Sequence, residues 1–391
     1  MNTTLLRYTF IAAMATVSLA AGAQYYDFKT IVDIPTTSVK NQSSSGTCWS
    51  FSAVSFFETE MMRMGKDSID LSEMFIVNRC YAAKGEWAVR LHGMCNFGAG
   101  GEAHDATWVM KNYGMMPEEA YHGINYGFEK HNHMELDTVL SAFVKAVVSR
   151  PKLTTAWRPA YNAIIDTYLG AVPEKFTYKG VEYTPRSFAD EVVGLNPDDY
   201  ISLTSFTHHP FYEEFVLEVP DNWLMGKMYN VTLDELVEAT DYALKHGYSL
   251  IWGADVSEQG FSHYDGVAVI PETEPKNMTE SERARWEKLD YYDRREYGLS
   301  EPVTEKVITQ EMRQLAFDNY ETTDDHGMHI VGMAKDQNGS IYYKVKNSWS
   351  TDNEYDGYIY ASLAFYKYKT MDIMLHKDAL PPALKAKLNI K

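Results

Sequence analysis

Residues 38-SVKNQSSSGTCWSFSAVSFFETEMM-62 join a run of small polar residues to a pattern rich in aromatics. From Cys48 onward, Trp49, Ala53, Phe56, Phe57, Met61 and Met64 recur at steps of three and four, and Gly65 closes the run. That is the period of a helix with a stop signal. Its apolar face is wide, which predicts burial near the middle of a lobe. A single cysteine stands at its start, and two readings are open at this point. Cys48 is either a small hydrophobe after a turn or a nucleophile presented by one. A thiol at a helix N-terminus lies at the positive end of the helix dipole, which favours the thiolate. Gly46 and the serines at 43–45 permit a tight turn that aims the thiol and its own N–H outward. Gln42, six residues upstream, offers an amide as a second donor to a developing oxyanion.

The rest of the composition narrows the class. The chain has 391 residues, 45% of them hydrophobic and 14% aromatic, with a formal charge of -18. That much negative charge repels a phosphate backbone, so no nucleic-acid partner is expected. Downstream of residue 24 no apolar run approaches the roughly 18 residues that suggest a membrane-spanning helix. The chain reads as soluble, acidic and globular. Residues 1–23 differ: Arg7, an Ala-rich apolar stretch and Ala21-Gly22-Ala23 make a secretory leader with cleavage after Ala23. Export to a periplasmic or extracellular space is therefore expected, with no membrane partner once the leader is cut. Three cysteines, Cys48, Cys80 and Cys95, are too few for a disulfide scaffold. Cys80 and Cys95 either pair or remain as two free thiols.

Further along, a helix starts near Leu71-Ser72-Glu73, and 96-NFGAGGEAHDATWVMKNYGMMPEEAY-121 is a Gly-rich loop feeding a helix that ends at Gly114. Helical periodicity returns around 136–169. Thr232 and Glu235 form a capping box for a helix that Gly247 closes. The run 248-YSLIWGADV-256 reads as a buried strand, and 271–312 as charge-rich helix or loop. The segment 329-HIVGMAKDQNGSIYYKVKNSW-349 alternates on both sides of Asn338-Gly339, which predicts a hairpin with an Asn-Gly turn. Helices first and antiparallel strands last imply an α+β protein of two lobes with a cleft between them.

A nucleophilic cysteine needs an imidazole that is distant in sequence and close in space. Among twelve histidines, His326 opens the hairpin strand in 324-DDHGMHIVGMAK-335, and the return strand delivers Asn347 in 344-KVKNSW-349. Asn347 would hold the His326 ring and Trp349 would shield that hydrogen bond from water. Read singly, His326 is as well explained as a strand-end histidine and Asn347 as a turn residue.

Together, SVKNQSSSGTCWSFS, HGMHIVG and KNSW resemble the papain-like cysteine peptidases. Gln42, Cys48, Trp49, His326, Asn347 and Trp349 stand at the matching positions, and Gly100-Gly101 resemble the glycines that bind substrate backbone. Ser45 replaces the usual first disulfide-forming cysteine. His326 lies 278 residues after Cys48, far beyond the roughly 130–150 of the ordinary papain type. In the added length, 248-YSLIWGADVSEQGF-261 and 311-EMRQLAFDN-319 resemble the bleomycin hydrolase/aminopeptidase C branch, peptidase family C1B.

The resemblance implies a papain-like two-lobed domain over 24–391: a helical lobe at about 38–125, an insertion at about 126–247, a β-rich lobe at about 248–376 and a tail at 377–391. It implies Cys48 as nucleophile, His326 as base and acid, Asn347 as orienter and Gln42 as oxyanion donor. Gly100, Gly101 and Trp349 would line the substrate. The substrates would be peptides, and no metal or organic cofactor is required. Members of the branch are hexameric aminopeptidases whose C-terminal arm meets the substrate amine. Here 376-HKDALPPALKAKLNIK-391 is expected to fall short of such an arm, so an endopeptidase with an open cleft is the alternative. A catalytically silent peptide binder is a third reading, against which the filled catalytic positions argue. The pairs His326/His329 and His208/His209 read as structural rather than metal-binding. His104 lines the cleft or is solvated, and Asp324-Asp325 either raise the His326 pKa or favour a cationic substrate end, or form a solvated turn, which is the safer reading.

Overall fold

The computed structural model describes residues 26–391, so the expected leader at 1–23 lies outside the described residues. Helices α1 to α5 span Cys48–Arg63, Glu73–Arg90, Ala103–Tyr113, Met134–Val148 and Trp157–Leu169. The later ones are short, α6 Pro185–Phe188, α8 Glu280–Trp286, α9 Tyr291–Arg295, α11 Leu363–Lys369 and α12 Pro382–Lys387, except α7 Leu233–Lys245 and α10 Gln310–Asp318. Thr232 caps α7 as its sequence pattern predicts, with Glu235 closing the box.

The strands are β1 Lys29–Asp33, β2 Phe176–Tyr178, β3 Val181–Tyr183, β4 Tyr200–Thr204, β5 Glu214–Val216, β6 Lys227–Asn230, β7 Leu250–Ala254, β8 Phe261–Ser262, β9 Val267–Ala268, β10 His326–Lys335, β11 Ile341–Lys346, β12 Tyr358–Ser362 and β13 Thr370–His376. All but the β2-β3 hairpin belong to one sheet in the order β5-β6-β4-β13-β7-β10-β11-β12-β9-β8. Along one side of β10, β7 pairs with its first half and β1 with its second.

Two hydrophobic cores result. One joins α1 to α5, with Phe56, Phe57, Met74, Leu140, Tyr161 and Ile165 among its buried members. The other fills the sheet side, with Trp252, Met328, Ile330, Tyr343 and Phe365. Helix α1 lies between them against β7 and β10, and every residue from Trp49 to Met61 is buried. That is why its apolar face is so wide.

The segment 126–247, expected as an insertion, packs on both cores: Leu136, Leu140, Ile165 and Leu169 pack with the helices, whereas Leu203, Val231 and Leu236 pack with the sheet. One expectation changes: the β10-β11 connection is longer than a two-residue turn. Gly339 has φ 90°, but Asn338 is not left-handed, and Asp336 Oδ1 accepts the N–H groups of Asn338 and Ser340. The carboxylate gathers residues 336–340 into a wider loop. No helix among the described residues is long and apolar enough to cross a membrane.

Candidate active site

Between the helical core and the sheet lies a cleft of about 310 Å³ lined by Gln42, Gly46, Cys48, Gly100, Gly101, Asp221, Asp324, Asp325, His326 and Trp349, among others. A larger cavity of about 530 Å³ opens between Arg79, Trp87 and Trp108 on the helical side, and none of Cys48, His326 and Gln42 lines it. Chemistry, not size, selects the smaller one.

Cys48 is the first residue of α1, and no acidic side chain occupies that first turn. No acid on the helix itself offsets its positive end, although the Asp324 and Asp221 carboxyls across the cleft, where ionised, oppose the thiolate. Backbone N–H groups of Trp49 and Gly327 hydrogen-bond the sulfur and favour its ionised form. Burial is the larger effect and pushes the thiol up to about 11.

His326 opens β10 and is buried. Its Nε2 donates to Asn347 Oδ1 at 2.8 Å, which leaves Nδ1 as the ring's acceptor. The Asn347 amide is fixed in turn: Oδ1 also accepts the Ser348 N–H at 2.8 Å, and Nδ2 faces His263 Nδ1 at 3.3 Å. Trp349 lies over the imidazole, ring centroids 4.5 Å apart. Burial pulls His326 down to about 4, against the opposing effect of the Asn347 bond. Burial therefore favours the neutral forms of both thiol and imidazole. Passing one proton between them makes two charges that offset each other.

The Gln42 amide is oriented by its neighbours. Oε1 accepts from Ser348 Oγ at 2.6 Å and Nε2 donates to Ser45 O at 2.8 Å, which leaves one N–H for the cleft. Ser45 Oγ bonds Gln42 O at 2.7 Å and lies 2.6 Å from Thr47 Oγ1. Hydrogen bonds thus brace the loop where the usual signature has a disulfide. All three cysteines are free, which decides between the two readings of Cys80 and Cys95.

Gly100 and Gly101 form the opposite wall. A methyl group at Gly100 would run into the Asp221 carboxylate, and one at Gly101 would meet the Trp49 ring at 3.1 Å. Buried Lys84 binds the carbonyls of Gly98 and Gly100, and Trp49 Nε1 donates to Ala99 O at 3.1 Å. So the six predicted wall and reaction residues share one cleft, with Asn347 behind His326.

Three participants were not visible in the sequence. Lys84 sits mid-helix, Asp221 lies in a loop with no motif, and His263 touches Asn347 from 84 residues away. Only a contact prediction could have found them. Asp324 and Asp325 both line the cleft, Asp324 half-buried and Asp325 exposed at its rim. Burial raises Asp324 to about 8, with the Asp221 and Asp372 charges adding, and it hydrogen-bonds Glu102. His104 does not line the cleft; its ring packs on Gly226. His329 bonds Ser55 Oγ through Nδ1 at 2.9 Å and plays no part in the cleft.

Comparison with known proteins agrees with this geometry. Residues 23–160 match the papain family cysteine protease model, and 164–291 and 278–391 match the Peptidase C1-like family. Aminopeptidase C of Streptococcus thermophilus is 23% identical over 90% of this chain and 83% of its own length. Aminopeptidase C of Lactobacillus delbrueckii subsp. lactis is 22% identical over 90% and 82%. The mitochondrial cysteine proteinase 1 of Saccharomyces cerevisiae is 21% identical over 92% and 79%. The crystal structure of PepW from Lactobacillus rhamnosis superposes with a TM-score of 0.69 at 20% identity, covering 92% of this chain and 84% of the other.

Proposed function

The chain belongs to the papain-like cysteine peptidases, in the aminopeptidase C/bleomycin hydrolase branch, and on that premise we propose that it hydrolyses oligopeptides from their free amino ends through a Cys48 thioester. The observation that carries the reading is the His326–Asn347 hydrogen bond under Trp349, in the same cleft as the thiol at the start of α1.

In the proposed sequence His326 Nδ1 takes the Cys48 proton while the sulfur attacks the scissile carbonyl carbon. The oxyanion is held by the Cys48 N–H and the remaining Gln42 Nε2–H. Collapse breaks the C–N bond, and His326 returns the proton to the leaving amine. Water, deprotonated by His326, then attacks the thioester and frees the acid and the thiol. Gly100 and Gly101 provide backbone for the substrate strand. Asp221 and Asp325 supply negative potential suited to a substrate ammonium group, beside the Asp324 carboxyl that burial keeps protonated at neutral pH. The leader sequence supports a periplasmic or extracellular location, and the family relationship raises the question of a homo-oligomer, hexameric in the branch.

An endopeptidase with an open cleft is the alternative. Residues 382–390 dock on the sheet side, with Leu384 and Leu388 buried and Lys387 bonded to Glu235 of α7, so this segment does not itself supply an amine anchor in the cleft. The deciding experiment compares matched peptides with free and acetylated N-termini, with and without a thiol-directed epoxide, alongside Cys48→Ala. Hydrolysis that survives Cys48→Ala overturns the mechanism. Equal cleavage of both peptides overturns amine anchoring and leaves the endopeptidase reading.

A further inference from the structure

In sequence His208 and His209 are a bare pair with no third ligand at a telling distance. The fold supplies one. After β5 the chain turns so that the Glu218 carboxylate meets both rings, Oε2 at 3.1 Å from His208 Nε2 and Oε1 at 2.7 Å from His209 Nε2. One donor atom from each residue lies within 4.8 Å of the other two.

The trio is held from outside. Fully buried Asn230 donates through Nδ2 to the carbonyls of Phe206, His209 and Pro210 at 2.7, 2.9 and 3.2 Å, and its Oδ1 accepts the Phe206 N–H at 3.0 Å. The His209 ring stacks on Phe215 at 4.3 Å, and His208 lies parallel to Phe317 at 5.4 Å. The Gln314 amide presents Nε2 at 3.1 Å and Oε1 at 3.5 Å to His208 Nδ1. It can donate to Nδ1 when Nε2 carries the proton, or accept from Nδ1–H when the Nε2 lone pair is engaged elsewhere. Such an outer partner is what a metal-ligating imidazole requires.

We propose that His208, His209 and Glu218 form a divalent transition-metal site, with Zn²⁺ the best match, that ties the 206–210 turn to the start of the 217–226 segment. Two imidazoles, one carboxylate and an open side suit Zn²⁺, whereas Ca²⁺ and Mg²⁺ select oxygen. Bonds of about 2.0–2.2 Å place tetrahedral ligand atoms roughly 3.3 Å apart; the carboxylate oxygens already stand 3.1 and 2.7 Å from the two ring nitrogens, and the three donor atoms fall within 4.8 Å of one another. Binding displaces the Nε2 protons that otherwise bridge the rings to the carboxylate. The tied segment carries Asp221 into the cleft and anchors Trp223 Nε1 on Asp105 at 2.6 Å. The ion therefore braces one wall of the active site from its far side.

The test uses the full chain with accessible thiols alkylated, because Cys48 and His326 would compete for the ion. Zn²⁺ is titrated calorimetrically, and Co²⁺ is followed by its absorption spectrum. One equivalent should bind, with tetrahedral Co²⁺ bands and no thiolate charge-transfer band. His209→Ala and Glu218→Gln should each weaken binding roughly tenfold or more, with metal-free melting curves and circular dichroism reporting that the variants fold. Glu218→Gln keeps the shape of the side chain and decides the matter if His209→Ala is unstable. The absence of one-to-one binding, or equal affinity in Glu218→Gln and the parent, overturns the site.

Discussion

Alanine in place of Gly327 separates the placement of the reacting groups from the stability of the fold. Gly327 follows His326 on β10 and faces the first turn of α1. A Cβ there would lie 3.0 Å from Ser52 Oγ, 3.2 Å from Trp49 Cα and 3.3 Å from Trp49 N. Ordinary contacts begin near 3.5 Å, so the surfaces must part by about 0.3–0.5 Å. Gly327 is not left-handed, so contact is the whole cost. The helix cannot yield easily, because Ser50 and Phe51 N–H groups bond Thr47 O behind it and Trp49 is buried. The strand moves, taking His326 with it. Overpacking of this kind costs about 1–3 kcal/mol. A displacement of 1 Å at a reacting centre costs about a hundredfold, so a shift near half that should lower kcat about tenfold.

The assay is kcat and KM on a free-amine peptide, with the melting temperature measured in parallel. The expected result is a lower kcat, a nearly unchanged KM and a melting point lower by a few degrees. Adding Ser52→Ala removes the shortest contact and should restore part of kcat, though the Trp49 backbone contacts remain. A kcat unchanged by Gly327→Ala, with a lowered melting point, would refute the claim that this contact sets the Cys48–His326 spacing.

Gln42→Ala removes one oxyanion donor and should lower kcat about 10²–10³-fold with little change in KM; a change confined to KM would assign Gln42 to ground-state binding instead. Asn347→Ala frees the His326 ring and strands a buried N–H, a loss of about 1–3 kcal/mol that should appear as roughly a tenfold to hundredfold drop in kcat/KM; wild-type kinetics would dismiss its orienting role. His326 must be neutral to accept a proton, and burial has lowered it to about 4. Activity should therefore persist as pH falls through 6.5 and disappear near 4, and an acid limb near 6.5 would contradict the buried, neutral imidazole. Asp324 is raised to about 8, so its stabilising contribution is complete below the ordinary aspartate value and is lost as pH rises through 8. Asp324→Asn, which imitates the protonated acid, should flatten the decline in melting temperature between pH 5 and 8; an unchanged slope would count against a buried, protonated Asp324.

Short-range chemistry was legible because it depends on local spacing. Gln42, Gly46 and Cys48 belong to one turn and one helix start, and His326 and Asn347 are brought together by a hairpin whose period shows in its residues. What stayed hidden depends on long-range packing. Asp221 reaches the cleft because Trp223 anchors its loop on Asp105, 118 residues earlier. Lys84 faces the Gly-rich loop because α2 packs on α3, and a lysine in a helix ordinarily signals a solvated face. Nothing in the 126–247 sequence says that its first helices join one core and its later strands the other.

The two quoted motifs, NQSSSGTCW and KNSW, are also one structure. Gln42 N–H donates to Ser348 O at 2.9 Å, and Ser348 Oγ donates to Gln42 Oε1 at 2.6 Å. Asn41 bridges Trp349, and the Ser348 N–H donates to the same Asn347 Oδ1 that receives His326. The proposed oxyanion donor, Gln42, and the proposed ring orienter, Asn347, are thus successive points on one short hydrogen-bonded ladder that crosses between the lobes. Cys48 sits on the same loop as Gln42, braced through Ser45 and Thr47. A rigid-body shift of one lobe cannot move the base without also straining the oxyanion donor. Residues that sequence presents as two separate signatures, some 300 positions apart, therefore respond to a perturbation as one unit.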